Sequence, residues 1–482
     1  MKSLPRILLL AALACPAGRL PADLNPINLP NIGDSAGQLI TPEEERQVGA
    51  AFMRHLRQSE ILVQDPEIES YIQSLGYRLL ANSDLLPHEF TFFVVDDPAI
   101  NAFAVPGGYI GIHTGLLLAA ETESELAGVV AHEIAHIMQR HMARSVEAAE
   151  RLSIPATAAL LAALLIGTQN SEAGMAAAMA AQAGSLQYQI NFTRANEKEA
   201  DRVGIGILSE AGFDPMGMPK FFERLQKSSR LYGEAPPEFL STHPVTTNRI
   251  AESMTRAEQI GRSGQTDSEA FQLAKAKLRV LETSEPARYL SEYRRNSREL
   301  TLKTPTDRYE MALLMKAAGQ PENARPILED LHKTDPDRIA YRIALSDLYL
   351  DSGKTKAALG MYSDTLHLYP GNQVITLQYA KALLKAGKTS DARKVLNGLI
   401  DNNTRVPPEA YRLLARAASA DKQSMETHTA MAEYYYLNGL THDAIEQFSL
   451  ALKSPGISFY EKSKIEARQK VMQDELLETE DR

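Results

Sequence analysis

His132-Glu133-Ile134-Ala135-His136 sets two imidazoles and a carboxylate inside one apolar stretch, Val129 to Met138. On a helix, positions four apart share a face, so His132 and His136 present ring nitrogens to one point. Neutral imidazole nitrogens bind Zn²⁺ at about 2.0–2.1 Å. Glu133, adjacent in sequence, can reach a water on the open side of such an ion. Zinc lowers the pKa of that water toward about 7, and a carboxylate there takes its proton and later passes it to a leaving amine. The chemistry these three residues point to is metal-assisted hydrolysis of a peptide bond. The flanking residues read as buried, and a polar triplet among them needs partners.

A catalytic zinc usually takes three protein ligands. His141 is the nearest further histidine, but five residues from His136 it rotates off the metal-facing stripe and is expected on the helix surface or at its end. Asn196-Glu197-Lys198-Glu199-Ala200-Asp201 is the better source. Glu197 and Asp201 are four apart, so both can face the first helix. Glu197 can bind the metal while Asp201 accepts the outer N–H of a ligating histidine and fixes its tautomer. Glu199 points about 200° away from Glu197 on the same wheel and is expected to be solvated.

These residues need elements to hold them. Thr122 with Glu125 three residues on reads as a capping box that starts the His132 helix. A second helix is predicted over about 193–211, stopped by Gly212-Phe213-Asp214-Pro215. Earlier helices start at Thr41-Pro42-Glu43 and at Asp65-Pro66-Glu67. Phe90 to Val95, Asn101 to Ala104 and Tyr109 to His113 read as short strands around the turn Pro106-Gly107-Gly108, together a small antiparallel sheet. Ser241-Thr242-His243-Pro244 is a loop before a further helix. Residues 153–190 are rich in Ala, Gly and Met and read as a buried helix pair or a mobile plug over the site.

The C-terminal third repeats itself. Gly319, Gly353 and Gly387 are spaced by 34 residues, as are Ala324, Ala358 and Ala392, with Ala312, Ser346 and Ala380 twelve before those alanines. A 34-residue helix-turn-helix period with small residues where the paired helices touch is the tetratricopeptide pattern. The signature returns at Ala432, Gly439, Ala444 and Phe448, displaced by 52 rather than 34, which predicts an irregular or partial repeat containing Pro407-Pro408.

The 482 residues carry a net charge of −10, with 44% hydrophobic and 23% charged residues. That balance is globular, and it excludes the basic footprint of a nucleic-acid binder. Lys2, Arg6 and the apolar run Ile7 to Ala14 read as an export signal with Ala17 or Ala22 as cleavage points. Cys15 is the single cysteine; Ala12 is a poor residue before a lipid-acceptor cysteine, so lipidation there is the alternative to plain cleavage. Without Cys15 no disulfide can form, which suits an oxidising compartment. The longest later apolar run, Ile154 to Gly167, is shorter than the roughly 18 residues a spanning helix needs.

HEIAH followed by EKEAD resembles the gluzincin branch that includes the heat-shock membrane protease, the CAAX prenyl protease and mitochondrial Oma-type proteases. In that family the Glu of E-x-x-A-D is the third zinc ligand, which is Glu197 here, and the Asp is Asp201. NAFAVPGG, HEIAHIMQRH, INFTRANEKEADRVGI, AGFDPMGMP and STHPVTTNRI extend the likeness, and the signal, catalytic domain and repeats together are similar to a periplasmic branch serving outer-membrane β-barrel assembly. The resemblance implies a mainly α fold with a small β-sheet, a gluzincin-type metallopeptidase domain followed by a tetratricopeptide-repeat solenoid, and one Zn²⁺ per chain. It implies that Asn101, Ala102, Phe103 and Ala104 form an edge strand that pairs with substrate backbone. His243 would either donate to the oxyanion or fill the fourth metal position and hold the enzyme latent, and Arg249 would orient that loop or bind a substrate carbonyl. The implied partners are unfolded or stalled outer-membrane proteins and the barrel assembly machinery, with peripheral membrane contact. The implied location is the periplasm of a Gram-negative bacterium, and a chaperone or scaffold role is the alternative to proteolysis. The expected division is signal 1–22, linker 23–40, peptidase domain 41–265, helical connector 266–304, repeats 305–475 and acidic tail 476–482.

Overall fold

The computed structural model describes residues 41–59, 61–81, 90–150, 183–232, 237–261, 266–299, 304–403 and 405–480. The expected signal, linker and Cys15, and most of the 153–190 segment, lie outside the described residues.

Helix α1 (Pro42–Gln58) opens on a complete capping box between Thr41 and Glu44, with Pro42 in the first turn. Helix α2 (Pro66–Leu80) is capped by the Asp65 carboxylate, which accepts from the Glu67 and Ile68 N–H groups. Strands β1 (Thr91–Val95), β2 (Ala102–Val105) and β3 (Tyr109–His113) follow. The sheet order is β1–β3–β2. The β2–β3 hairpin turns through Gly107 and Gly108, at φ +80° and +85°, and pairs antiparallel with Ala102 opposite Ile112. β1 and β3 pair in parallel, Thr91 opposite Tyr109. The antiparallel sheet expected from sequence is therefore corrected to a mixed one. Residues 96–101 carry the chain past the place of β3, so β2 lands outside and β3 returns between them in the direction of β1. Among the described strands β2 has one unpaired side.

Helix α3 (Thr114–Ala119) leads into α4 (Glu123–Met138), which holds the HExxH segment and is buried from Glu123 to Ala135. Thr122 accepts from the Glu125 N–H, but the Glu125 carboxylate turns to the Glu121 N–H and pairs with Arg224, so only half of the expected capping box forms. After α5 (His141–Glu150) come α6 (Ala183–Glu210), α7 (Gly217–Tyr232), α8 (Glu238–Thr242) and α9 (Thr247–Ile260). α4 is packed by α6, α7 and the sheet. Gly204 lets α6 approach: a Cβ there would lie 3.1 Å from both Ala131 O and His132 N.

Helix α10 (Glu269–Glu282) joins the two halves. Its Phe271, Ala274 and Leu278 belong to the catalytic core, while Leu273 and Ala276 belong to the core of the first repeat. α11 (Pro286–Glu299) precedes the paired helices α12 (Pro305–Ala317) and α13 (Pro321–Thr334), α14 (Ile339–Asp351) and α15 (Thr355–Leu368), and α16 (Gln373–Lys385) and α17 (Thr389–Asn402). Gly319, Gly353 and Gly387 end the first helix of each pair at φ near +75°, the left-handed cap conformation glycine adopts without strain. Ala324, Ala358 and Ala392 are fully buried at the helix crossings, as are Ala312, Ser346 and Ala380. The extra residues before the last signature form α18 (Pro408–Ala420), joined to α19 (Ser424–Leu437) through Lys422 at φ +58°. α20 (Thr441–Ala451) and α21 (Phe459–Glu480) close the array, so the expected acidic tail begins as the last turn of a helix.

The repeats fold back on the catalytic half. Arg57 of α1 donates to Leu437 O at 2.7 Å, and Arg405 donates to Phe90 O and to Thr91 Oγ1 at the start of β1. Lys277 of α10 pairs with Asp65 and Glu67 of α2. Among the described residues no helix is long and apolar enough to cross a membrane.

Candidate metal centre

Two helices and a loop bring the predicted ligands together. α4 carries His132 and His136 on one face, α6 crosses it with Glu197, and the residue that ends α8 is His243. His132 Nε2 and His136 Nε2 lie 3.0 Å apart. Glu197 spans them, with 3.4 Å from Oε2 to His132 Nε2 and 3.4 Å from Oε1 to His136 Nε2. His243 Nδ1 stands 3.4 Å from His132 Nε2 and 3.1 Å from Glu197 Oε1. Ligand bonds of 2.0–2.1 Å in a tetrahedron imply edges of about 3.3–3.4 Å, and the contacts just given run from 3.0 to 3.4 Å. One donor atom from each of His132, His136, Glu197 and His243 falls within 4.8 Å of every other.

The donor set suits a divalent cation. Glu197 and Asp201 are buried with carboxyls held below the usual range, Glu133 is buried beside them, and Arg249 is the buried cation that meets Glu197 and Asp201. Burial opposes ionisation of Glu197, yet His243 and His132 hold its carboxyl well below the usual range. Burial, helped by His132, keeps the His136 imidazole neutral and its lone pair free. Burial pushes the Glu133 carboxyl up, against the pull of His243 and His132 and a hydrogen bond from the Ala104 backbone. Glu133 thus sits between the ligand cluster and strand β2, with Oε1 lying 3.4 Å from His243 Nε2.

Behind the donors lies an orienting layer. His132 Nδ1 is 3.1 Å from Asp201 Oδ1. Arg249 is 2% exposed and grips Asp201 through Nε and a second nitrogen at 2.8 and 2.7 Å, Glu197 Oε2 at 2.9 Å, and Pro244 O at 2.8 Å. These four contacts tie Arg249 to Asp201, to Glu197 and to the loop that carries His243. Phe239 stacks on the His243 ring at 4.8 Å, and Phe222 meets the His132 ring edge-on.

The strand expected at Asn101 to Ala104 is present as β2, one residue later than predicted. Asn101 precedes it, is 1% exposed, and accepts the His113 N–H on its backbone carbonyl; Ala102 is fully buried. Phe103 is half-buried and packs edge-on against Phe52 and Phe93. Any pairing along this edge uses backbone groups, not the side chains of Asn101 or Ala102.

His141 lies just past the end of α4, one of the two places expected for it, but it is buried there and not on the surface: its Nδ1 lies 2.9 Å from His136 Nδ1, and its side chain is 4% exposed. Glu199 is not simply solvated, because it is half-buried and takes His141 Nε2 at 3.3 Å and Arg144 at 2.9 Å. Wheel geometry failed because α4 stops at Met138 and the chain reverses through Arg140, at φ +50°. Neither Gly nor Pro announces that break in the sequence.

A buried His-Glu-x-x-His helix with a carboxylate supplied by a second helix, followed by a repeat solenoid, defines a metallopeptidase. Residues 66–257 match peptidase family M48 and residues 349–416 match the tetratricopeptide repeat. A Vibrio cholerae protein that carries the beta-barrel assembly-enhancing protease name is 39% identical over 479 residues, 97% of each chain. The beta-barrel assembly-enhancing protease of Escherichia coli K12 is 34% identical over 91% of this chain and 90% of its own. The mitochondrial metalloendopeptidase OMA1 of Danio rerio is 30% identical over 42% of this chain and 43% of its own. The chain belongs to the beta-barrel assembly-enhancing protease family of M48 metallopeptidases.

Proposed function

We propose that this chain is a periplasmic zinc-dependent endopeptidase that acts in quality control and assembly of outer-membrane β-barrel proteins. The observation that carries the reading is the convergence of His132, His136 and Glu197 within 3.0–3.4 Å of one another, with Glu133 beside them. His132 Nε2, His136 Nε2 and Glu197 would hold the ion, and Asp201 would orient His132. When bound, zinc supplies a water of lowered pKa and polarises the scissile carbonyl. Glu133, whose carboxyl burial pushes up while His243 and His132 favour its ionised form, would take a proton from that water as a carboxylate and hand it to the leaving amine. The free side of β2, next to Glu133 through Ala104, is suited to pair with an extended peptide backbone. Backbone pairing asks little of the sequence cleaved, which fits clients recognised by their failure to fold. The repeat domain would engage the clients or the barrel assembly machinery, as solenoids do with extended surfaces.

A second reading, a chaperone or scaffold with latent proteolysis, is favoured by one observation: His243 Nδ1 stands among the ligand atoms, where an attacking water would need room. Both readings meet in a protease that is closed until the His243 loop moves.

The test is Glu133→Gln and Glu197→Gln in the full chain. Glu133→Gln is expected to retain one zinc and to lose cleavage of an unfolded substrate by about 10²–10⁴-fold. Glu197→Gln is expected to lose zinc on dialysis. Equal cleavage by Glu133→Gln and the wild type would remove the proposed base, and unchanged zinc in Glu197→Gln would remove the proposed ligand.

A further inference from the structure

The chain reverses immediately after the HExxH helix, and the reversal has a chemical product. Arg140 takes a left-handed φ of +50°, a conformation that strains any residue but glycine. Its guanidinium is held by Glu45 of α1 at 3.0 Å. The turn brings His141, the first residue of α5, back against His136, ring centroids 4.8 Å apart.

The hydrogens along this contact can be arranged in one way if His136 is a ligand, and the inference rests on that reading. His136 Nε2 faces the donor cluster, so it must offer a bare lone pair, and the ring hydrogen sits on Nδ1. That Nδ1–H meets His141 Nδ1 at 2.9 Å, which must then accept. The hydrogen of His141 consequently sits on Nε2 and donates to Glu199 Oε2 at 3.3 Å. Arg144, one turn along α5, donates to the same Glu199 oxygen at 2.9 Å, so the acceptor stays an acceptor. On the other side of the site His132 Nδ1 lies 3.1 Å from Asp201, which Arg249 holds. Both α4 histidines thus sit beside a neighbour, and each of those neighbours is tied to an arginine, directly or through Glu199.

We propose that His141 is the positioning residue of His136, fixing its ring plane and its Nδ1–H tautomer, with Glu199 and Arg144 fixing the tautomer of His141 in turn. His141 touches neither substrate nor the reacting atoms. Its effect is on how well His136 holds the ion. Outer partners of ligating histidines are worth about 10–100-fold in metal affinity.

The experiment measures the zinc dissociation constant of the full-length chain by competition with a chromogenic chelator, together with the visible absorption of the cobalt-loaded protein and thermal melts of the metal-free form. The variants are His136→Ala, His141→Phe, His141→Asn and Glu199→Gln. His141→Phe keeps the ring and removes the acceptor, and is expected to weaken zinc by about 10–100-fold and to shift the cobalt bands. His141→Asn, whose Oδ1 can stand where Nδ1 stood, is expected to recover most of that loss. Glu199→Gln is expected to weaken zinc several-fold without changing the metal-free melt. Wild-type affinity in both His141→Phe and Glu199→Gln, alongside loss in His136→Ala, overturns the positioning role while leaving the metal site intact. Equal loss in His141→Phe and His141→Asn also overturns it, since packing rather than hydrogen bonding would then be at work. Should His141→Phe fail to fold, Glu199→Gln decides by the same two outcomes. Unchanged affinity in His136→Ala instead defeats the underlying ligand reading.

Discussion

His243 shows both its nitrogens to the reaction site. Nδ1 lies with the ligand donors and Nε2 lies 3.4 Å from the Glu133 carboxylate. A side chain in that place both fills the position a water must take and ties up the base. Phe239 beneath the ring and the Arg249 bond to Pro244 O hold the loop there. If the closed arrangement outweighs the open one by about 1–2 kcal/mol, its removal raises the competent fraction about 5–30-fold. His243→Ala is therefore expected to raise basal cleavage of casein by that factor. A fall in cleavage at unchanged zinc content would assign His243 to the oxyanion instead. At this scale the sequence was legible wherever helical periodicity held. His132 and His136, and likewise Glu197 and Asp201, are four apart on uninterrupted helices, so the shared face of each pair could be drawn on a wheel. His141 and Glu199 could not, because their meeting depends on a turn formed by Arg140 and stabilised by Glu45 from a distant helix.

Between elements, the spacing of α4 and α6 sets the distance from Glu197 to the two histidines. Gly204, two turns past Glu197 on α6, faces the α4 backbone at Ala131 and His132, where a Cβ would come within 3.1 Å, and the Met218 methyl would be 2.9 Å away. Gly204→Ala is expected to destabilise the fold by about 1–3 kcal/mol through overpacking and to weaken zinc binding, because the helix that yields carries Glu197 and Asp201 with it. Melting and chelator competition check the two effects; a lower melting temperature with wild-type zinc affinity would show that α6 yields without moving its ligands. Helix starts were legible from their caps at Thr41 and Asp65. Strand order was not, because the pattern of short apolar runs marks that Phe92 and Ile110 are buried without saying that β3 inserts between β1 and β2.

For the whole molecule, the repeats and the catalytic half meet across a face of partly buried charge. Glu69 of α2 lies there among Asp65, Arg57 of α1, Lys381 of α16 and Glu409 of α18. Burial, with Asp65 adding to it, pushes its carboxyl up to about 7 from an ordinary 4.5, against Arg57 and Lys381. A raised carboxyl pKa in the folded state means that folding favours the protonated form. The stability this contributes is fully present below about pH 4.5 and is lost as pH rises through about 7. The melting temperature of wild type is accordingly expected to fall more than that of Glu69→Gln between pH 5 and 8. Parallel pH profiles for the two proteins would dismiss this role for Glu69. The repeat period itself was plain in the sequence because glycine and alanine recur at 34 residues. The fold-back of the repeats onto α1, α2 and β1 was not, since it rests on single contacts such as Arg57 to Leu437 O and Arg405 to Phe90 O that leave no periodic trace.

Helix α10 is a party wall. Phe271, Ala274 and Leu278 finish one room and Leu273 and Ala276 finish the next. Cutting the chain before Glu269 strips the catalytic half of three side chains that close its interior, and cutting after Glu282 leaves the peptidase carrying a bare greasy flank meant for Tyr309 and Tyr341. The two halves are thus separate in sequence pattern and inseparable in carpentry, so a push on the repeat array is delivered directly into the timber that frames α2 and α3.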